Sequence, residues 1–408
     1  MIPKGWSSQK LSSVASIIDC KHRTPEYVKS GIPLVSPGTI KWGALDLISP
    51  VKRVTEEEYR SLMDHCVVEQ GDLVMSRNQS VGVVSYVDSK KPFVLGQDTV
   101  LIKAIHADWR FIYYTLQSDL VQRQIAKSAG GSTFSRINLS DIRALNIKTP
   151  AICEQDKISQ ILTAWDKAIS VTESLLANSQ QQKKALMQQL LTGNKRLLDE
   201  NGVRFSGEWK ITKLIQMGKV VSGGTPDTNM AMYWEGDILW LTPTDVTALT
   251  GRFVSNTSRK ITPAGLLNSS AVLLPKGSLM VCTRATIGAL AISTSEICTN
   301  QGFKNIIPNE GFNIEFIYYL LQMNTNEMIK KSSGSTFLEL SKKDFETLSF
   351  SCPFIKEQQK IAAVLSAADT EISTLEKKLA YLRDEKKALM QQLLTGKRRV
   401  KVDEAVAE

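Results

Sequence analysis

Two stretches, 154–192 and 357–395, run 39 residues each without Pro or Gly. Within them apolar residues recur at steps of three and four, the spacing that lines one face of an α-helix. The first register passes through Leu162, Trp165, Ile169, Thr172, Leu176, Ser179, Lys183, Leu186 and Leu190. The second passes through Leu365, Ala368, Ile372, Leu375, Leu379, Leu382, Lys386, Leu389 and Leu393. Each stretch starts four residues after a proline, carries acidic or amide side chains early and stops at a glycine, Gly193 or Gly396. Those are helix start and stop signals. At the rise of an α-helix each would run about 58 Å. A domain of about 150 residues has a radius of gyration near 15 Å, so such a helix would overrun it. The apolar seam therefore calls for a partner helix, and the obvious partner is the other copy.

The segments before these stretches read differently. Short apolar, β-branched runs at 73–75, 81–87, 99–102, 271–274 and 279–281 alternate with turn residues, as strands do. Helices are predicted at 108–128 and 313–332, and a last strand near 145–148 and 348–350. This order describes a small α+β domain that ends at the proline leading into each long helix.

The chain is a tandem repeat. KKALMQQLLTG stands at 183–193 and again 203 residues later at 386–396. The same offset relates Glu154-Gln155 to Glu357-Gln358, Pro150 to Pro353, GSTF at 131–134 to GSTF at 334–337, and Trp6 to Trp209. Elsewhere the halves match loosely and the offset drifts, as loop insertions would make it. The predicted organisation is a first domain at 1–153, a helix at 154–195, a second domain at 196–356, a helix at 357–400 and a tail at 401–408. The expected fold class is α+β: two pseudo-twofold-related α/β domains separated by two long antiparallel helices forming a coiled coil. Nearly identical segments should bind two copies of one partner, and divergent segments two different things.

Charge narrows the partner. The formal net charge is +9 and the isoelectric point about 9.1, which favours a polyanion. Aromatic residues make up 7% without a stacking pattern, so duplex DNA is favoured over RNA or a single strand. Candidate DNA-facing side chains are Lys41, Arg77, Asn78, Gln79 and Gln97 in the first domain. In the second they are Thr242, Thr244, Asp245, Arg284, Gln301 and Lys304. Arginine suits guanine, Asn and Gln suit adenine, and lysine suits phosphate. The loops of Arg77 and Arg284 lead, because both copies hold an arginine between a strand and a glycine turn. Each side chain competes with the plainer reading of a loop residue facing water.

Other chemistries find little support. The six cysteines form no CxxC pair. Cys20, His22, His65 and Cys66 are zinc-type ligands at spacings unlike a finger, and read as scattered core or surface residues. No Walker loop, glycine-rich cofactor strand or [DN]PP[YF] motif occurs, so neither ATP-driven work nor adenine methylation is expected of this chain. The GSTF segments follow a helix and lack phosphate-loop spacing. They read as turns packing each domain on its long helix through Phe134 and Phe337. No apolar run reaches membrane-spanning length, and the N-terminus lacks a signal-peptide core, so a cytoplasmic location is expected.

LMQQLLTG followed by basic residues, twice, with the EQ-x-KI starts at Glu154 and Glu357 and the GSTF loops, resembles the specificity (S) subunits of type I restriction–modification systems over essentially the whole chain. The resemblance implies that each divergent block is a target-recognition domain reading one half of a bipartite, asymmetric DNA site. It implies that the helices set the spacing and dock two methyltransferase (M) subunits. The residues for helix pairing or partner binding would be Leu162, Trp165, Ile169, Leu176, Leu186, Leu190, Leu365, Ile372, Leu375, Leu379, Leu382, Leu389 and Leu393. The chain itself would be non-catalytic and hold no cofactor or metal. S-adenosylmethionine, ATP and Mg2+ would belong to the partner subunits, with two restriction (R) subunits joining in some systems. A free-standing DNA-binding scaffold, a standalone nuclease and a coiled-coil protein without a nucleic-acid role are the alternatives.

Overall fold

The strand Leu73–Ser76 is buried along its whole length, as is its counterpart Leu279–Cys282. Leu73 and Met75 face one core while Val74 faces another, and Leu279 and Val281 are likewise divided from Met280. A strand covered on both faces needs a continuous apolar run, which is how these segments read. The computed structural model describes residues 2–49, 52–129, 135–334 and 338–401. Phe134 and Phe337, expected to anchor the GSTF turns, lie outside the described residues.

The chain divides into two compact units, Met1–Glu173 with Lys377–Glu408, and Ser174–Glu376. The first contains a five-stranded sheet in the order Ala15–Asp19, Thr99–Ala104, Leu73–Ser76, Val84–Tyr86, Gly43–Ala44. A three-stranded sheet holds Lys52–Val54, Ile32–Val35 and Val94–Leu95, and Ser7–Lys10 pairs with Asn146–Thr149. The second unit repeats this order with Gly218–Ser222, Phe303–Pro308, Leu279–Cys282, Leu290–Ser293 and Phe253–Val254. Its smaller sheets are Arg259–Ile261, Trp234–Leu241, Cys298–Thr299 and the pair Lys210–Lys213 with Ser349–Cys352.

Several elements differ from expectation. The helix expected at 108–128 is two, Trp109–Gln117 and Asp119–Ser128. Ser118 is extended at φ −63° and ψ 144°, and its side chain caps the second helix. The helix expected at 313–332 is likewise split, into Ile314–Met323 and Thr325–Lys330, at Asn324. The run 271–274 is no strand. Only Leu274 pairs, with Ile297, because Pro275 follows and offers no N–H to continue a ladder.

The long helices span Ile152–Leu191 and Ile355–Leu393. Each belongs to two units: the first passes from one unit to the other at Glu173–Ser174, the second at Glu376–Lys377. Each unit therefore holds the start of one helix and the end of the other. In the first unit Ile158 and Leu162 share a core with Leu393 and Leu394. In the second, Ile361 and Leu365 share one with Leu190 and Leu191. The compact units thus cut across a linear division into domain, helix, domain, helix.

Candidate nucleic-acid interface and helix seam

The invariant helix starts explain themselves at the seam. Gln155 accepts from the backbone N–H of Asp108 and donates to the carbonyl of Pro150 at 2.9 Å. Gln358 does the same for Asn313 and Pro353. Asp108 and Asn313 in turn cap the helices that follow them. The preceding glutamates are buried, and each takes a two-armed arginine from the end of the other helix: Glu154 from Arg399, Glu357 from Arg196. The carboxylate hydrogen bond raises the pKa of each arginine.

Farther along, the tyrosine hydroxyl of Tyr114 donates to Asp166, whose other oxygen receives Lys386 at 2.5 Å. In the second unit Tyr319 donates to Asp369, which receives Lys183 at 2.5 Å. Residue number falls on one helix as it rises on its neighbour, so the paired segments are antiparallel within each unit. This accounts for the lysines that interrupt the apolar seam at 183 and 386. Leu162, Leu190, Leu365, Leu379 and Leu393 are buried. Trp165, Ile169, Leu176, Leu186, Ile372, Leu375, Leu382 and Leu389 are half-buried.

The opposite regime holds at the turns after the central strands. Ser76 and Cys282 donate to Val83 and Ala289, and Gly82 and Gly288 donate back to them, all at 2.9 Å. One residue on, Arg77 N–H bonds Asp98 and Thr283 N–H bonds Gly302, both at 2.8 Å. Next, Asn78 bridges to Arg136, and Arg284 bridges to Glu339. Gln79 and Ala285 then share a left-handed conformation, φ 56° and 61°. The two platforms have the same backbone, and Arg284 corresponds to Asn78, not to Arg77.

That single-residue slip corrects the pairing of Arg77 with Arg284 as equivalent readers. Neighbouring residues of an extended chain point to opposite sides. Arg77 points inward: it is 5% exposed, donates to the Ile137 carbonyl at 3.2 Å and pairs with Asp19 at 2.8 Å. Its fork is spent on the fold. Arg284 points outward, its side chain 48% exposed.

The remaining candidates fall into three groups. Asn78 donates through its side-chain amide to Asp98 at 2.7 Å, and its side-chain oxygen Oδ1 is buried without a partner among the described residues. Gln79 is exposed beside Gly38. Gln97 donates to Thr24 at 3.1 Å, whereas Gln301 accepts from the hydroxyl of Thr225. These four, with Arg284, lie at or beside the platforms. Thr242 and Asp245 are tied to each other in a capping box, and Asp245 also accepts from Ser258. Burial opposes the charge of Asp245, but these hydrogen bonds hold its carboxyl below the usual range. Thr244 is exposed beside them. Lys304 is 7% exposed, and burial lowers its pKa, so it is placed within the sheet and not on a phosphate-facing surface. Lys41 is exposed, but its backbone is fastened to Ser85 in the strand Val84–Tyr86, not to the turn.

Sequence reasoning missed Arg136, whose side chain is 46% exposed and pairs with Asp98 at 2.8 Å. It also missed Glu339, which stands at the matched position with the opposite charge. The signal was present, because Arg136 and Glu339 follow the two GSTF segments at the repeat offset of 203. Among the zinc-type residues, the ligand atoms of Asp19, Cys20 and His22 lie within 4.8 Å of one another. The Asp19 carboxylate is shared by Arg77 and His22, burial pushes the Cys20 thiol up, and His65 turns to the Asp19 carbonyl at 2.9 Å. Asp19 is thus engaged as the internal counter-ion of Arg77. Among the described residues no helix is long and apolar enough to cross a membrane.

Comparison with known proteins agrees with this layout. The type I restriction–modification DNA specificity domain family matches twice, at residues 3–178 and 206–382, each match running from a domain into its long helix. The MjaIX specificity subunit of Methanocaldococcus jannaschii is 40% identical over 172 residues, which are 42% of this chain and 40% of that protein. The match thus spans two fifths of that relative. The putative MjaX specificity subunit of the same organism is 25% identical over 98% of this chain and 95% of its own length. The crystal structure of a type I restriction–modification S subunit from M. genitalium covers 97% of this chain and 99% of its own, with a TM-score of 0.61 at 17% identity. That likeness speaks for the fold. The chain belongs to the type I restriction–modification DNA specificity family.

Proposed function

We propose that this chain is the DNA sequence-specificity subunit of a type I restriction–modification complex, each domain reading one half of a bipartite, asymmetric site. One observation carries the reading. The two platforms share the same main backbone hydrogen bonds but differ in polar side chains, while the chief helix contacts (Arg399–Glu154 with Arg196–Glu357, the caps by Gln155 and Gln358, and Lys386–Asp166 with Lys183–Asp369) occur in both copies. A protein that reads two different half-sites and docks two identical partners needs that combination. The helices set the distance between half-sites and dock two methyltransferase subunits. Adenine-N6 methylation with S-adenosylmethionine, and ATP- and Mg2+-dependent translocation and cleavage through restriction subunits where these join, are work of the partners in the cytoplasm.

The test is genome-wide adenine methylation in a host carrying this gene and its methyltransferase partner, compared with the same host lacking this gene. A split, asymmetric motif that disappears on deletion is the expected result. Unchanged methylation, with the partner shown to be active beside another specificity subunit, would overturn the reading.

A further inference from the structure

The platforms differ in a patterned way. In the first unit the three facing positions are Asn78, Asp98 and Arg136. In the second they are Arg284, Gly302 and Glu339. Each therefore carries one exposed arginine and one carboxylate, on different segments of the chain. Arg136 meets Asp98 through one terminal nitrogen, at 2.8 Å. Arg284 meets Glu339 only at 4.0 Å, through Nε. No further side-chain contact of either guanidinium is found among the described residues. The rest of each fork faces out beside an acid that is itself partly exposed, 23% for Asp98 and 44% for Glu339, and the buried Lys304 stands behind Glu339 at 3.9 Å.

We infer that each half-site is read by one arginine–carboxylate couple, Arg136 with Asp98 in the first domain and Arg284 with Glu339 in the second, and that each couple recognises a G·C base pair. The inference rests on the DNA-specificity reading above and assigns its discriminating residues. The chemistry fits the major-groove edge of that pair. Guanine offers two acceptors, O6 and N7, to a guanidinium fork, and cytosine offers the N4 amino group to a carboxylate. An A·T pair offers neither set in that arrangement. The positions that supply the two groups differ: 136 is basic where its counterpart 339 is acidic, and the second group of the couple stands at 98 in the first domain but at 284, the counterpart of 78, in the second. One backbone thus presents the couple from different positions in the two domains, so they read different half-sites without a change of fold. Asn78 occupies the place of Arg284 and is bound to Asp98, which leaves Arg136 as the reading group of the first domain.

The experiment uses the full-length chain in complex with its methyltransferase partner. The wild-type motif is first read from adenine methylation. Duplexes are then made in which single base pairs of each half-site are exchanged, G·C for A·T and A·T for G·C, and affinities for them are compared. The variants are Arg136→Lys and Arg284→Lys, which keep the charge and lose the fork, with Arg136→Gln and Arg284→Gln as second variants. Folding is checked by the melting temperature. R136K should lose about tenfold or more of its preference at one G·C pair in one half-site, with preferences elsewhere intact. R284K should do the same in the other half-site only. Unchanged preference in folded lysine and glutamine variants, or loss at an A·T pair, would overturn the assignment while leaving the DNA-reading function standing. A wild-type complex that binds all duplexes equally would overturn both.

Discussion

Arg399 closes on Glu154, 245 residues earlier in the chain, with hydrogen bonds of 2.6 and 2.8 Å to the two carboxylate oxygens. It also donates to the Lys4 carbonyl at 2.7 Å. Arg196 reproduces this on Glu357 and the Gly207 carbonyl. The end of one repeat's helix therefore completes the unit begun by the other repeat. This is why the segment after LLTG stays basic and why EQ opens both helices.

Removing either arginine strands a buried carboxylate, and the two copies should not suffer equally. Glu154 keeps the indole N–H of Trp6 at 3.3 Å. The matching indole, that of Trp209, makes no hydrogen bond, so Glu357 depends on Arg196 more completely. R196A should destabilise by about 3 kcal/mol and R399A by measurably less. Urea unfolding of the two variants checks the order. Equal losses would show that the Trp6 hydrogen bond contributes nothing.

The glycines that end the helices should also respond unequally. Gly193 and Gly396 are left-handed, φ 75° and 70°, a conformation any side chain resists. A Cβ at Gly193 would meet Trp209 at 3.4 Å, an ordinary contact, whereas one at Gly396 would meet Pro3 at 2.4 Å. G193A should cost about 1 kcal/mol, the penalty of a Cβ in the left-handed region, and G396A clearly more, read as a larger drop in melting temperature.

Much of this architecture was legible in the sequence, for one reason. A helix with a 3-4 seam, a start at EQ and a stop at Gly193 or Gly396 is specified locally, residue by residue. Strand identity was legible too, because Leu73–Ser76 and Leu279–Cys282 are buried on both faces and read as unbroken apolar runs. The site was not, because exposure in a strand alternates with each residue. Arg77 and Arg284 look equivalent by eye, yet the second copy carries one more residue between its glycine and its arginine. That places one guanidinium in the core and the other in water. Nor could the sequence tell that Lys304 is buried or that Arg136 is brought beside Asp98, since both depend on strand neighbours distant in the chain.

Burial gives the second unit an alkaline weakness. The thiols of Cys282, Cys298 and Cys352 are pushed up to about 12 by burial, from an ordinary 9. A folded pKa above the unfolded one means full stability below pH 9. Between pH 9 and about 12 the unfolded chain ionises its thiols while the folded chain does not, so stability falls as pH rises. The loss is up to about 1.4 kcal/mol per pH unit for each thiol. Urea midpoints measured across that range should fall, and Cys298→Ala should flatten the fall. A parallel decline in wild type and variant would assign the loss to the buried tyrosines, such as Tyr114 and Tyr319, which burial also raises.

If the long helices set the distance between half-sites, that distance should follow helix length. Four residues inserted at 173–174 and four more at 376–377 add one turn to each helix and keep the 3-4 seam in step. The addition is about 6 Å per helix, against about 3.4 Å of duplex per base pair. Both half-site sequences should be unchanged, because the platforms with Arg136 and Arg284 lie outside the inserted segments. The unspecified gap between them should grow by about one or two base pairs, as read from adenine methylation by the complex. A single insertion, in one helix only, should instead misalign Asp166 from Lys386 or Asp369 from Lys183 and lower stability without giving a new motif. A gap that stays fixed after the paired insertion would mean that something other than helix length measures the DNA.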